Sequence, residues 1–360
     1  MSEFVQTRVA NRTGIITLDR PKALNSLSLA MVRALAEVLQ AWQRDPAIDA
    51  VVLASSSEKA LCAGGDIRFF HEVGNATPMG GSALLEDFFT EEYALNHLIH
   101  FYAKPYVALM EGVVMGGGMG IAQGGPDCRI RIVTEQSKIA MPEVNIGLFP
   151  DVGGSYFLSR APGQLGNYLG LTGLTVGAAD ALYLDLADLF VPQAEMGALK
   201  ALIDTTPGNQ LRAAIAAFAA PFAGAAGASP LEAQRALIDR HFGAPSVPAI
   251  MTSLAGDSDE FAQKALAAMR LRSPLMMCVT RELLLRGAAL DVADCLRMER
   301  TMVRHNFEHG EVLEGVRALV IDKDNAPRWN PPAIENVDAD MIARFFAPVW
   351  PASAHPLRHL

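Results

Sequence analysis

PYVALMEGVVMGGGMG, residues 105–120, is the stretch on which the fold turns. Tyr106 to Met110 is a short apolar run entered through Lys104-Pro105, the pattern of a strand buried on both faces. Gly116, Gly117, Gly118 and Gly120 follow within a few residues. A second copy of the arrangement lies upstream, where the buried-strand run IDAVVLA (48–54) precedes Ala63-Gly64-Gly65-Asp66. Cys128 to Val133 reads as a further strand and Glu91 to Tyr102 as a helix between the first two. Nearer the start, Phe4 to Val9 and Ile15 to Leu18 flank Asn11–Gly14 as a hairpin. Ser28 then caps a helix whose Met31, Leu35, Val38, Leu39 and Trp42 recur at helical spacing until Pro46. Strands and helices alternate to about residue 190, which indicates an α/β fold.

The second half changes character. TTPGNQ (205–210) and GAAGASP (224–230) break the chain, and 231–242, 258–270, 275–287 and 291–309 read as helices. The expected organisation is a core over 1–200 and a helical region over 201–360 packed on it.

The 360 residues are 51% hydrophobic and 19% charged, which suits a packed core and excludes a largely disordered chain. A net charge of −9 argues against general binding to nucleic acid or an anionic membrane. No apolar stretch reaches the ~20 residues that span a bilayer. No basic start leads into an apolar run, so a cytoplasmic location is expected. Cys62, Cys128, Cys278 and Cys295 form no CxxC pair and read as reduced thiols. His305 and His309 lack a third ligand, so no metal site is expected.

Two features carry chemistry. A glycine run that opens a helix directs unpaired N–H groups outward, and two such groups from separate loops can hold one oxygen of developing negative charge. Each glycine cluster by itself is equally a tight turn, and neither matches a phosphate-binding loop. MPEVNIGLFPDVGG (141–154) sets Glu143 and Asp151 in apolar surroundings. Desolvation favours the protonated form of such carboxyls, and a pair can divide acid, base and nucleophile roles. The alternative is a pair of surface loop acids.

Taken together, LDRPKALNSLS (18–28), CAGGDI (62–67), the glycine run and MPEVNIGLFPDVGG resemble the crotonase superfamily of enoyl-CoA hydratases and isomerases in order and spacing. Glu91-Glu92-Tyr93-x-Leu95-Asn96, Ser273-Pro274 and Gly315–Asp324 with Pro327-Arg328-Trp329 resemble its 3-hydroxyisobutyryl-CoA hydrolase branch. The resemblance implies a spiral of ββα units with a helical C-terminal region. It also implies hydrolysis of a short 3-hydroxyacyl-CoA thioester, with coenzyme A part of the substrate and no separate cofactor. By motif position Gly65 and Gly117 would form the oxyanion hole and Glu143 and Asp151 the catalytic pair. Glu92, Gly116 and Ala63 would touch substrate. Assembly into trimers or hexamers is a family habit. Hydratases of the superfamily carry a second catalytic Glu three positions after the oxyanion glycine, where this chain has Gly120. The Gly124–Cys128 segment also departs from the hydrolase pattern, which leaves the acyl group open. The competing readings are a dienoyl- or enoyl-CoA isomerase or hydratase, and a non-enzymatic CoA- or RNA-binding protein. Lys104, Arg131, Arg317 and Lys323 are candidates for the CoA phosphates or ordinary surface charges.

Overall fold

The computed structural model of the chain describes residues 2–77 and 82–360. Strands β1 (Val5–Ala10) and β2 (Thr13–Leu18) form the antiparallel hairpin. Its turn is Asn11-Arg12, both left-handed at φ 45 and 66, the two-residue turn whose twist matches the strands it joins. Gly14 therefore lies within β2, where the Trp42 ring packs so close that a Cβ would sit 2.3 Å from it. Further strands are β3 (Ala50–Ser55), β4 (Ala60–Cys62), β5 (Tyr106–Met110), β6 (Val113–Met115), β7 (Arg129–Val133), β8 (Lys138–Ala140) and β9 (Leu189–Phe190).

They form two sheets. The larger has the order β1-β2-β3-β5-β7-β9 and is parallel from β2 onward; the smaller has the order β4-β6-β8. Every side chain of β5 is buried, as expected for a strand covered on both faces. Where the sequence suggests one strand ahead of each glycine cluster, the structure has two. β3 is followed by β4 and β5 by β6, and the glycines come after the second strand of each pair. Each pair then runs into a helix, Ile67–Ala76 and Gly117–Ala122, which makes the ββα unit visible.

The Leu29–Arg44 helix is capped as read from the sequence, with Ser28 Oγ accepting from the Met31 N–H at 3.3 Å. The Glu91–Tyr102 helix is longer than its periodicity suggests and spans Ala83–His100. Among the described residues every regular element after Phe190 is helical. The chain divides into two compact units, each drawn from three segments. One holds Met1–Gly65, Ala94–Ile139 and Val176–Glu232; the other holds Asp66–Tyr93, Ala140–Thr175 and Ala233–Leu360. The units are therefore discontinuous, and a single cut at residue 200 does not separate them.

The first unit is sensitive at Gly118, where a Cβ would lie 2.1 Å from the Cys62 carbonyl oxygen. Gly118→Ala is expected to destabilise the protein by about 1–3 kcal/mol through overpacking. A lower midpoint in urea denaturation checks this; an unchanged midpoint contradicts the close approach.

Candidate active site

The residues singled out in the sequence fall into two groups, one in each unit. In the first unit, β4 and β6 are parallel neighbours, so the loops that leave their C-terminal ends emerge side by side. Ala63, Gly64 and Gly65 follow β4; Gly116 and Gly117 follow β6. Gly64 (φ 106) approaches the other loop closely: a Cβ there would lie 3.2 Å from the Met115 carbonyl oxygen and 3.5 Å from the Gly117 nitrogen. Gly116 takes φ 50 and ψ −122, a conformation that suits glycine, and Gly117 opens the helix. Its N–H is thus among those a helix leaves without an intrahelical partner.

The LDRPKALNS stretch braces this corner. The Ala63 N–H donates to the Leu24 carbonyl (3.0 Å), and the Leu27 N–H to the Gly64 carbonyl (2.8 Å). The buried Asn25 side chain donates to the Ser55 hydroxyl (2.7 Å) and the Leu61 carbonyl (3.0 Å), tying β3 to β4.

The second unit collects acids. Glu92 lies in the middle of the Ala83–His100 helix, Glu143 opens a short 3-10 helix shortly after β8, and Asp151 lies in the loop before the Gly154–Ser159 helix. All three are buried, and the structure adds a fourth, Glu299, which is fully buried on the Val292–His309 helix. The buried Tyr93 phenol donates to Asp151 Oδ2 at 2.6 Å. Glu299 accepts from the Gly153 N–H (2.8 Å), the Ser155 N–H (3.0 Å) and the Ser155 hydroxyl (2.5 Å). One oxygen each of Glu92 and Glu143 (Oε1 and Oε2) is buried without a hydrogen-bond partner among the described residues.

Burial sets the electrostatics. Desolvation, then the charge of Asp151, holds the carboxyls of Glu92 and Glu143 well above the ordinary glutamate value. Asp151 is pushed up to about 6 by burial, against the pull of the Tyr93 hydrogen bond. Glu299 is pushed up to about 8 by burial, against its three donors. Such a set gives a reaction both protonated and ionised carboxyl groups near neutral pH.

Sequence reasoning finds Glu92, Glu143 and Asp151 but misses Tyr93 and Glu299. Tyr93 lies inside the EEYxLN motif and so carried a signal. Glu299 sits between Arg297 and Arg300 on an amphipathic helix and looks in sequence like part of a solvated face. Three cations offered for the CoA phosphates have other partners. Lys104 Nζ donates to the Trp42 and Asp45 carbonyls, Arg131 pairs with Asp188, and Arg317 with Glu314, Asp322 and Asp324. The His305 and His309 rings lie 2.8 Å from the carbonyls of Ala347 and Asn330.

A family model described as Enoyl-CoA hydratase/isomerase matches residues 13–346. The chain belongs to that family, and its fold is the crotonase fold. It is similar to the 3-hydroxyisobutyryl-CoA hydrolase, mitochondrial, of Xenopus tropicalis, with 39% identity covering 94% of this chain and 87% of that protein. The Arabidopsis thaliana protein named probable 3-hydroxyisobutyryl-CoA hydrolase 3 is 34% identical over 92% of this chain and 88% of its own. Two solved structures superpose over nearly the whole chain. One is titled a carnitinyl-CoA dehydratase from Mycobacterium thermoresistibile (TM-score 0.88, 37% identity, 97% of this chain and 98% of that one). The other is titled an enoyl-CoA hydratase from Rhodobacter sphaeroides 2.4.1 (TM-score 0.84, 38% identity, 96% and 98%).

A carboxyl whose proton affinity rises on folding binds more protons folded than unfolded, so it stabilises at low pH and loses that contribution as pH rises through its folded value. Glu143 is such a group. The stability gained by Glu143→Gln over the wild type is therefore expected to grow between about pH 5 and about pH 8. Urea denaturation midpoints of both proteins at the two pH values check this; a constant or shrinking difference contradicts it.

Proposed function

We propose that this chain hydrolyses a short 3-hydroxyacyl-CoA thioester, in first place 3-hydroxyisobutyryl-CoA, giving 3-hydroxyisobutyrate and free CoA as in valine breakdown. The observation that carries the reading is the cluster of Glu143, Asp151 and Glu92: desolvated carboxyls, two of them with a buried oxygen that finds no hydrogen-bond partner among the described residues. The curated relatives named as hydrolases of this thioester support it over more than nine-tenths of the chain.

In this reading the Gly65 and Gly117 N–H groups take the thioester carbonyl oxygen, and Ala63 and Gly116 shape the loops that present them. Glu143 acts on the carbonyl carbon, either by direct attack that gives a mixed anhydride opened by water, or as general base on that water. Asp151 orients the water or the 3-hydroxyl, or returns a proton to the leaving thiolate. Glu92 accepts a hydrogen bond from the substrate hydroxyl. Both routes need Glu143 ionised, and burial, then the charge of Asp151, raises its affinity for the proton. Turnover therefore rises with pH through the raised Glu143 value, above the ordinary carboxylate range of about 4.5.

The titles of the two superposed structures favour a second reading, addition or removal of water across a double bond. Gly120 counts against it, because no second carboxylate stands there to share the proton transfers. A cytoplasmic setting is proposed, in keeping with the buried side chains of Cys62, Cys128, Cys278 and Cys295. The vertebrate relatives are named mitochondrial. Assembly as a trimer or hexamer is proposed on the family habit alone.

A thiol-release assay on 3-hydroxyisobutyryl-, 3-hydroxypropionyl- and crotonyl-CoA tests the function. The expected result is free thiol from the hydroxyacyl substrates, with Glu143→Gln and Asp151→Asn each at least ~100-fold slower. An absorbance change on crotonyl-CoA without thiol favours the hydratase reading. Wild-type rates in both variants overturn the assignment of the pair.

A further inference from the structure

Asp151 is delivered by a strained turn. The next residue, Val152, takes φ 53, a left-handed conformation that a β-branched side chain avoids, and Gly153 follows at φ 87. Strain of this kind persists where surrounding structure over-determines it. Two things do so here. Gly287 packs against the turn so closely that a Cβ would lie 2.3 Å from the Ser155 carbonyl oxygen. Glu299 reaches in from the Val292–His309 helix and accepts the Gly153 N–H, the Ser155 N–H and the Ser155 hydroxyl. No ion pair among the described residues reaches Glu299, and its neighbours include the acids Asp151 and Glu143, the Tyr93 phenol and the Cys295 thiol. Such a group is a poor stabiliser of a fold, because apolar residues of similar volume do as well or better. What it supplies is direction: two backbone anchors just past a strained residue.

We propose that Glu299 is a positioning residue that clamps the Asp151–Ser155 turn and so aims the Asp151 carboxyl for reaction. Asp151 is then held from two sides, by Tyr93 at its carboxyl and by Glu299 through its backbone. The claim that this aim serves turnover rests on the thioester-hydrolase reading; the clamp itself does not.

The test combines a double-mutant cycle with hydrogen exchange. Glu299→Gln keeps one acceptor oxygen and sets an amide NH2 against a backbone donor. The expected loss in kcat is ~10²-fold, the scale of a misplaced reacting group, with KM within ~3-fold of wild type. In the Asp151→Asn background the same change is expected to slow turnover by less than ~2-fold, because its effect passes through Asp151. Exchange of the 151–156 amides, read by mass spectrometry, is expected to speed up at least ~10-fold. Ser155→Ala, which removes one donor, should show the same pattern at about 3-fold in kcat, and serves if Glu299→Gln does not fold. Losses that multiply fully with Asp151→Asn, or unchanged exchange in both variants, overturn the proposal. If the wild type releases no thiol from any substrate, the hydrolase reading fails. Exchange then decides the clamp alone: faster exchange keeps it and unchanged exchange removes it.

Discussion

An ionised carboxylate cannot be buried cheaply without a cation, a metal or several donors, and the second unit buries four acids close enough to feel one another. Much of its architecture answers that constraint. Tyr93 gives Asp151 one strong donor that works against burial, and Asp151 is pushed up to about 6. Glu299 takes three donors and sits at about 8. Glu92 and Glu143 each keep an oxygen with no partner among the described residues and are held well above the usual range. Burial raises the proton affinity of all four, and the hydrogen bonds to Asp151 and Glu299 work against it.

That spread is useful to a reaction that must move protons and handle a leaving thiolate near neutral pH. It also ties activity to instability, since each buried acid would be better replaced by a neutral isostere as far as folding is concerned. The helical second half of the chain supplies Glu299. Asn306, about two turns further along the same helix, donates to the Gly147 carbonyl at 2.9 Å and so holds the loop between Glu143 and Asp151. Gly315 packs on Ile146 so tightly that a Cβ would be 2.3 Å from its carbonyl carbon. The MPEVNIGLFPDVGG segment is therefore held along its length by residues more than 100 positions away.

Much of this was legible in the sequence where local signals were strong. The strand Tyr106–Met110 has the bounds its apolar run suggests, and Ser28 caps its helix. Glu92, Glu143 and Asp151 do come together within one unit. The strands of the small sheet have three residues each, too short for any periodicity to register, so the sequence shows one strand ahead of each glycine loop where the structure has two. The discontinuous units arise because strands and helices that pack together are far apart in the chain, which no local pattern records. Nothing marks Val152 as left-handed; the signal there is the glycine after it. Glu299 was hidden because a buried glutamate and a solvated one share the same letter and the same helical spacing.

The claim at the centre is that burial raises the proton affinity of Glu143 above that of an ordinary glutamate. Infrared difference spectroscopy between the wild type and Glu143→Gln, followed as pH is raised, reads this directly. The account predicts that the protonated carboxylic-acid carbonyl band that the variant lacks persists above the ordinary glutamate value of about 4.5. A band that disappears at or below that value would contradict it.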